Sequence, residues 1–143
     1  MTSMDRDEIM SILPHRDDML LLDEAILDGE VARAKYRVRG DEWFLRGHFP
    51  QNPVVPGVIL CEILAQSACV LLEGAAEDGR RLTYYTGIDR ARFRFPVRPG
   101  ETIETECRIT KSRPPFYFAG GTARVGGKVC LQADFSFAVM SQG

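Results

Sequence analysis

The sequence predicts an α+β domain in which an antiparallel sheet encloses one long helix, and three observations carry that reading. Val58 to Glu77 is the one apolar stretch of helical length; it holds no proline, and its single glycine, Gly74, comes near its end. Strand-like runs bounded by turn signals fill most of the remaining chain. Their order, two strands, a helix and then a run of further strands, suits one curved sheet wrapped on one helix. With 143 residues and 45% hydrophobic content, a single domain spanning 1–143 can bury one substantial core.

The elements follow in order. Asp5 to Ile12 is expected to form a short helix, capped by Asp5 or Ser3 and ended by Pro14. Met19 to Leu27 reads as a strand, and Asp28-Gly29 as a turn into the next one. Val31 to Arg39 alternates cleanly, with Arg33, Lys35, Arg37 and Arg39 on one face and Ala32, Ala34, Tyr36 and Val38 on the other. That is the period of a half-buried strand. The helix from Val58 would be about 30 Å long, with Ala65, Ser67 and Ala68 allowing close approach. Glu62, Gln66, Glu73 and Glu77 argue against a membrane span. Leu82 to Pro96, Thr102 to Lys111, Phe116 to Val125 and Lys128 to Val139 read as strands, separated by Pro99-Gly100, Pro114-Pro115 and Gly126-Gly127. So small a sheet leaves exposed edges, and pairing them in a homodimer is the expected remedy.

Composition narrows the function. A formal charge of -2 argues against a general nucleic-acid binder. Cys61, Cys69, Cys107 and Cys130 form no CxxC pair, and two lie in the apolar helix, so free buried thiols in a reducing compartment are expected. The first twelve residues carry Asp5, Arg6, Asp7 and Glu8 and lack the pattern of a secretory signal, which points to the cytoplasm.

The richest segment runs from Gly47 to Gly57. It places His48 on a loop braced by Pro50, Pro53 and Pro56, and Glu62 follows within the apolar helix. A glutamate taken from water there needs a compensating role. A structural hydrogen bond would be one; acid–base chemistry with an imidazole, which titrates near neutrality, would be another. Gln66, four residues on, shares a helix face with Glu62 and can orient its carboxyl. The first amides of the helix, at Gly57 and Val58, lack internal partners and could hold a thioester oxygen. For His48 the alternative is a histidine that only fixes its turn. His15 is read as structural. Cys61 has no base paired with it, and the two histidines with scattered cysteines match no metal site.

Ile12 to Arg16, Phe44 to Val58, Glu62 to Gln66 and Ala91 to Gly100 together resemble the (3R)-hydroxyacyl-acyl carrier protein dehydratases of the FabZ type. The resemblance runs in order over nearly the whole chain and is most specific between His48 and Glu62. It implies a hot-dog fold assembled as a dimer, often as a trimer of dimers, and no metal or redox cofactor. It further implies removal of water from a (3R)-3-hydroxyacyl chain on the phosphopantetheine arm of acyl carrier protein, giving the trans-2-enoyl thioester. His48 would take the C2 proton and Glu62, from the opposite subunit, would protonate the departing hydroxyl. The Gly57 amide would bind the thioester oxygen, the Val54 carbonyl would orient His48, and Gln66 would support Glu62.

The chain departs from that family at Asp17-Asp18-Met19, where Tyr-Pro-Phe is usual; the family's aromatic there is associated with the mouth of the acyl tunnel. Val55 and Ile63 are milder changes. Carrier proteins are acidic, and Arg90, Arg92, Arg94 and Arg98, evenly spaced on a predicted strand, would present one basic face to them. A solvated strand face is the plainer reading of those arginines. Two other functions share the expected fold: an acyl thioesterase and a catalytically silent acyl-binding subunit.

Overall fold

Burial around the whole circumference marks the organising helix, α2, Gly57–Cys69, in which all but Gly57, Val58 and Glu62 are buried. A helix without a polar face has to be wrapped, and the wrapping here is a seven-stranded sheet. The computed structural model describes residues 1–72 and 81–141. Its strands are β1 (Thr2–Met4), β2 (Glu24–Asp28), β3 (Val31–Arg37), β4 (Arg81–Phe93), β5 (Thr102–Arg113), β6 (Phe116–Val125) and β7 (Lys128–Ser141), and a short helix α1 spans Arg6–Met10. All neighbours pair antiparallel in the order β1-β2-β3-β5-β6-β7-β4. This is the α+β hot-dog arrangement.

The sheet reads its inner face from sequence alternation. In β3, Ala32, Ala34 and Tyr36 are buried, while Arg33, Lys35 and Arg37 are exposed. Small groups then let sheet and helix approach. Ser67 Oγ donates to Ile63 O at 2.9 Å and lies 2.6 Å from Thr105 Oγ1 in a buried hydroxyl pair, and the Cys107 thiol donates to Leu64 O at 3.3 Å. Beside them, a Cβ on Gly121 would sit 2.5 Å from Glu106 O. Ile63 and Leu64 fill the space between, each at most 1% exposed, so truncating either to alanine costs about 2–5 kcal/mol.

Several boundaries differ from expectation. The helix was expected from Val58 to Glu77; α2 ends at Cys69 and tightens into a 3₁₀ turn, Val70–Leu72, and the remainder of the expected span lies outside the described residues. Met19 to Leu27 is not one strand: Asp17–Met19 forms a 3₁₀ turn, and regular pairing begins only at Glu24. The turn after β2 uses Gly29 and Glu30, because Asp28 pairs with Val31 and Gly29 takes φ +61°. Strand β1 was not foreseen, since three residues carry no period. Helix α1 is shorter than expected, and its cap is Asp5, which accepts from Glu8 N while Glu8 returns the bond to Asp5 N. The Gly126-Gly127 turn has both residues at positive φ, as a two-residue hairpin of this kind requires.

The arginine strand also departs from simple alternation. A register shift between Asp89 and Arg92 inserts a bulge, with Arg90 at φ +51° and its side chain paired to Asp134 at 2.9 Å. Arg94 lies just beyond the end of β4. Among the described residues, no helix is long and apolar enough to cross a membrane.

Candidate active site

His48 owes its position to the chain on both sides of it. A 3₁₀ turn, Trp43–Leu45, precedes it, and Gly47 and Phe49 both adopt positive φ, at +77° and +56°. The loop is then tied down: Asn52 N donates to Phe49 O at 2.8 Å, Val55 N donates to Val97 O at 2.8 Å, and Arg98 donates to the Asn52 side chain. The half-buried imidazole packs on Phe49 with ring centroids 4.3 Å apart. Its Nδ1 lies 3.1 Å from Val54 O. A carbonyl only accepts, so in the neutral ring Nδ1 carries the hydrogen and Nε2 presents a free lone pair.

Upstream, Glu42 anchors this loop. Its carboxylate accepts from Tyr36 Oη at 2.6 Å, Arg39 N at 2.9 Å and Gly40 N at 2.7 Å. Burial works against its charge, but the Arg39 amide, the Tyr36 hydroxyl and the Gly40 amide outweigh burial and hold the carboxyl below its usual range. The Tyr36 hydroxyl is pushed well up, by burial first and then by its bond to Glu42.

Glu62 sits one turn into α2 with its side chain 23% exposed. Gln66 Nε2 donates to Glu62 Oε2 at 2.9 Å and to Met19 O at 2.7 Å, while Gln66 Oε1 accepts from Leu21 N at 2.9 Å. Gln66 thereby joins the carboxyl to the segment that begins at Asp17. That segment is held from its other side by Trp43 Nε1, which donates to Asp18 O at 3.3 Å. The unusual Asp17-Asp18-Met19 stretch is thus wired to both the His48 loop and the Glu62 helix.

His15, which the sequence reading set apart as structural, comes to Glu62 as well: its Nε2 lies 3.4 Å from Glu62 Oε2. Tyr85 was also missed. Its hydroxyl donates to Cys61 O at 2.6 Å, and burial followed by the nearby Glu62 charge keeps that hydroxyl protonated. No local spacing signals either contact, because both join segments far apart in the chain. A cavity of about 30 Å³ is lined by His15, Glu62, Gln66, Thr83, Tyr85 and Phe137, among others. Larger open hollows elsewhere, such as one of about 550 Å³ beside Arg6, Asp18, Trp43 and Arg46, include neither His48 nor Glu62.

At the start of α2, Pro56 offers no side-chain cap, and its carbonyl accepts from Ile59 N and Leu60 N at 2.9 and 3.2 Å. The Gly57 and Val58 amides are the helix's leading donors. A Cβ on Gly57 would meet the exposed Phe93 ring at 2.9 Å, so that ring would have to shift to admit one. Cys61 is unsuited to nucleophilic work because burial pushes its thiol up. Among the described residues, no three His, Cys, Asp or Glu side chains gather as metal ligands. Within one chain, His48 and Glu62 are not bonded to each other; their partners are Val54 on one side and Gln66 with His15 on the other.

The FabA-like domain family matches residues 13–134, a span that includes His15, His48, Val54, Gly57, Glu62, Gln66 and Tyr85. The chain belongs to the FabA-like family. It is similar to a 3-hydroxyacyl-[acyl-carrier-protein] dehydratase FabZ from Staphylococcus saprophyticus, 37% identical over 144 residues with 99% of each chain covered. A FabZ from Enterococcus faecalis is 41% identical over 134 residues, covering 92% of this chain and 95% of that one. Among solved structures, a dehydratase heterocomplex from Xenorhabdus doucetiae superposes with a TM-score of 0.79 at 17% identity, covering 94% of this chain and 91% of the other. A thioesterase from Pseudomonas aeruginosa reaches 0.71 at 13% identity, covering 97% and 96%. At those identities the structures share the fold, and the fold by itself assigns no chemistry to this FabA-like chain.

Proposed function

We propose that this protein is a hydro-lyase that converts (3R)-3-hydroxyacyl-acyl carrier protein to the trans-2-enoyl thioester in fatty-acid or related acyl-chain biosynthesis, in the cytoplasm. The observation that carries the reading is the state of His48. With Nδ1 committed to Val54 O, its Nε2 is available as a base. A thioesterase would have no need of such a base, so the histidine favours dehydration over hydrolysis.

In this mechanism His48 takes the C2 proton and Glu62 gives a proton to the C3 hydroxyl. The C–H electron pair becomes the C2=C3 bond, and the C3–O pair leaves with the oxygen as water. Positioned acid–base groups of this type contribute about 100- to 10,000-fold. Negative charge that develops on the thioester oxygen meets the Gly57 and Val58 amides at the helix start. Gln66 fixes the Glu62 carboxyl in one orientation.

Because His48 and Glu62 are not bonded within a chain, we assign them to composite sites of a homodimer. The edge strand β4 supports this assembly: it is the longer of the sheet's two edges and exposes Tyr84, Ile88 and Phe93, while Val58 at the helix start is 75% exposed. A second copy pairing on that edge would cover them, and three such dimers could associate further. Acidic carrier protein would approach Arg90, Arg92 and Arg94. Arg90 is partly neutralised by Asp134, which leaves Arg92 and Arg94 as the stronger contributors.

The test is incubation with 3-hydroxybutyryl carrier protein. Enoyl product supports dehydration, release of free thiol indicates a thioesterase, and neither product indicates a silent acyl-binding subunit.

A further inference from the structure

The side of Glu62 away from Gln66 has chemistry that the proposed mechanism does not use. His15 Nε2 faces the carboxylate at 3.4 Å. Glu62 Oε2 already serves as an acceptor, for Gln66 Nε2, so Nε2 of His15 carries the hydrogen in the neutral ring and Nδ1 is left as an acceptor. Among the described residues, two buried side-chain polar atoms have no hydrogen-bond partner: this same His15 Nδ1 and Thr83 Oγ1. Both residues line the cavity of about 30 Å³ beside Glu62.

That coincidence has a physical meaning. Buried polar atoms without partners are costly, and native proteins satisfy them with protein groups or ordered water. A polar cavity needs about 10–15 Å³ of such space to admit one water. The volume here suits a water and is far too small for an acyl chain. A hydroxyl that can donate or accept and a ring nitrogen that accepts, on two residues lining one cavity, suit a shared water molecule.

We propose that this niche is a structural water site, anchored by Thr83 Oγ1 and His15 Nδ1, and that His15 is thereby a positioning residue for Glu62. The water donates to Nδ1 and bonds to the Thr83 hydroxyl. It fixes the tautomer and tilt of the imidazole, whose Nε2–H then holds Glu62 Oε2 in concert with Gln66. The carboxyl is gripped from two directions, by segments that precede and belong to α2, and is kept from rotating off the substrate hydroxyl. This assignment rests on the dehydratase reading for its kinetic consequence but not for the water itself.

Two measurements test it. A high-resolution crystal structure of the whole protein should show an ordered water within hydrogen-bonding distance of both Thr83 Oγ1 and His15 Nδ1; a dry niche overturns the proposal. Steady-state kinetics on 3-hydroxybutyryl carrier protein should then show that His15→Leu and Thr83→Val each lower kcat, by about tenfold if one orienting hydrogen bond is lost, with KM little changed. His15→Gln, whose amide nitrogen can replace Nε2–H, and Thr83→Ser, which restores the hydroxyl, should recover most of the rate. Unchanged kcat in His15→Leu or Thr83→Val, a rise in KM alone, or no recovery in the two conservative variants would overturn it. If the unmodified protein forms no enoyl product, the dehydratase reading fails, and the crystallographic water still decides the niche.

Discussion

Gln66 and Glu62 are joined by a 2.9 Å bond from an amide nitrogen that also donates to Met19 O, while the amide oxygen accepts from Leu21 N. One fully buried side chain therefore satisfies two backbone groups and a carboxylate at once.

Gln66→Leu keeps the volume and removes all three bonds. It strands the buried Leu21 N, at about 1–3 kcal/mol, and removes the donor to Met19 O, whose residue is exposed and open to water. The expected outcome is a clear fall in the thermal midpoint together with loss of enoyl formation. Retained stability with retained activity would show that the amide neither supports the segment nor orients Glu62.

Glu42 makes the fold sensitive to acid near the His48 loop. Its carboxyl is held below its ordinary range in the folded state, so its stabilising contribution is complete above the unfolded-state value. The contribution is lost as pH falls through the lower folded-state value. Between about pH 6 and about pH 3 the wild-type protein should lose more stability than Glu42→Gln. Parallel losses in denaturant titrations at the two pH values would contradict this assignment.

Gly121 tests the closeness of the sheet. An added Cβ would stand 2.5 Å from Glu106 O and 2.8 Å from Cys107 Sγ, both on the neighbouring strand. Since backbone cannot yield cheaply, Gly121→Ala should destabilise the protein by about 1–3 kcal/mol or more. A thermal midpoint within a degree of wild type would show that β5 and β6 can part at little cost.

Among the described residues Arg90 is paired with Asp134, while Arg92 and Arg94 of the proposed carrier surface form no ion pair. Reversing both to glutamate should raise KM for carrier-bound substrate and spare a short pantetheine thioester, with the effect shrinking at high salt. Equal losses on both substrates would place carrier docking elsewhere.

Much of this protein was legible in its sequence, for identifiable reasons. The alternation of Val31 to Arg39 and the Gly126-Gly127 turn are local signals; the first contains β3, which ends two residues earlier at Arg37, and the second matches the β6–β7 hairpin. Gln66 lies one helical turn from Glu62, so their contact follows from the period of the helix. The approach of His15 to Glu62 and the bond from Tyr85 to Cys61 O depend on tertiary closure of distant segments, which no spacing encodes. The end of α2 at Cys69 was hidden because Val70 to Leu72 remains apolar in its 3₁₀ turn, with Val70 and Leu72 buried. The bulge at Arg90 was hidden because even spacing of arginines mimics an unbroken strand.

The central claim is that His48 and Glu62 act on one thioester across a subunit boundary. The most direct measurement is complementation between two inactive variants, His48→Ala and Glu62→Gln, unfolded together and refolded as a mixture. Random pairing makes about half the dimers mixed, each with one intact composite site, so about a quarter of wild-type enoyl formation should return. If the mixture stays as inactive as either variant alone, while wild type treated in the same way recovers, the two groups do not meet across subunits.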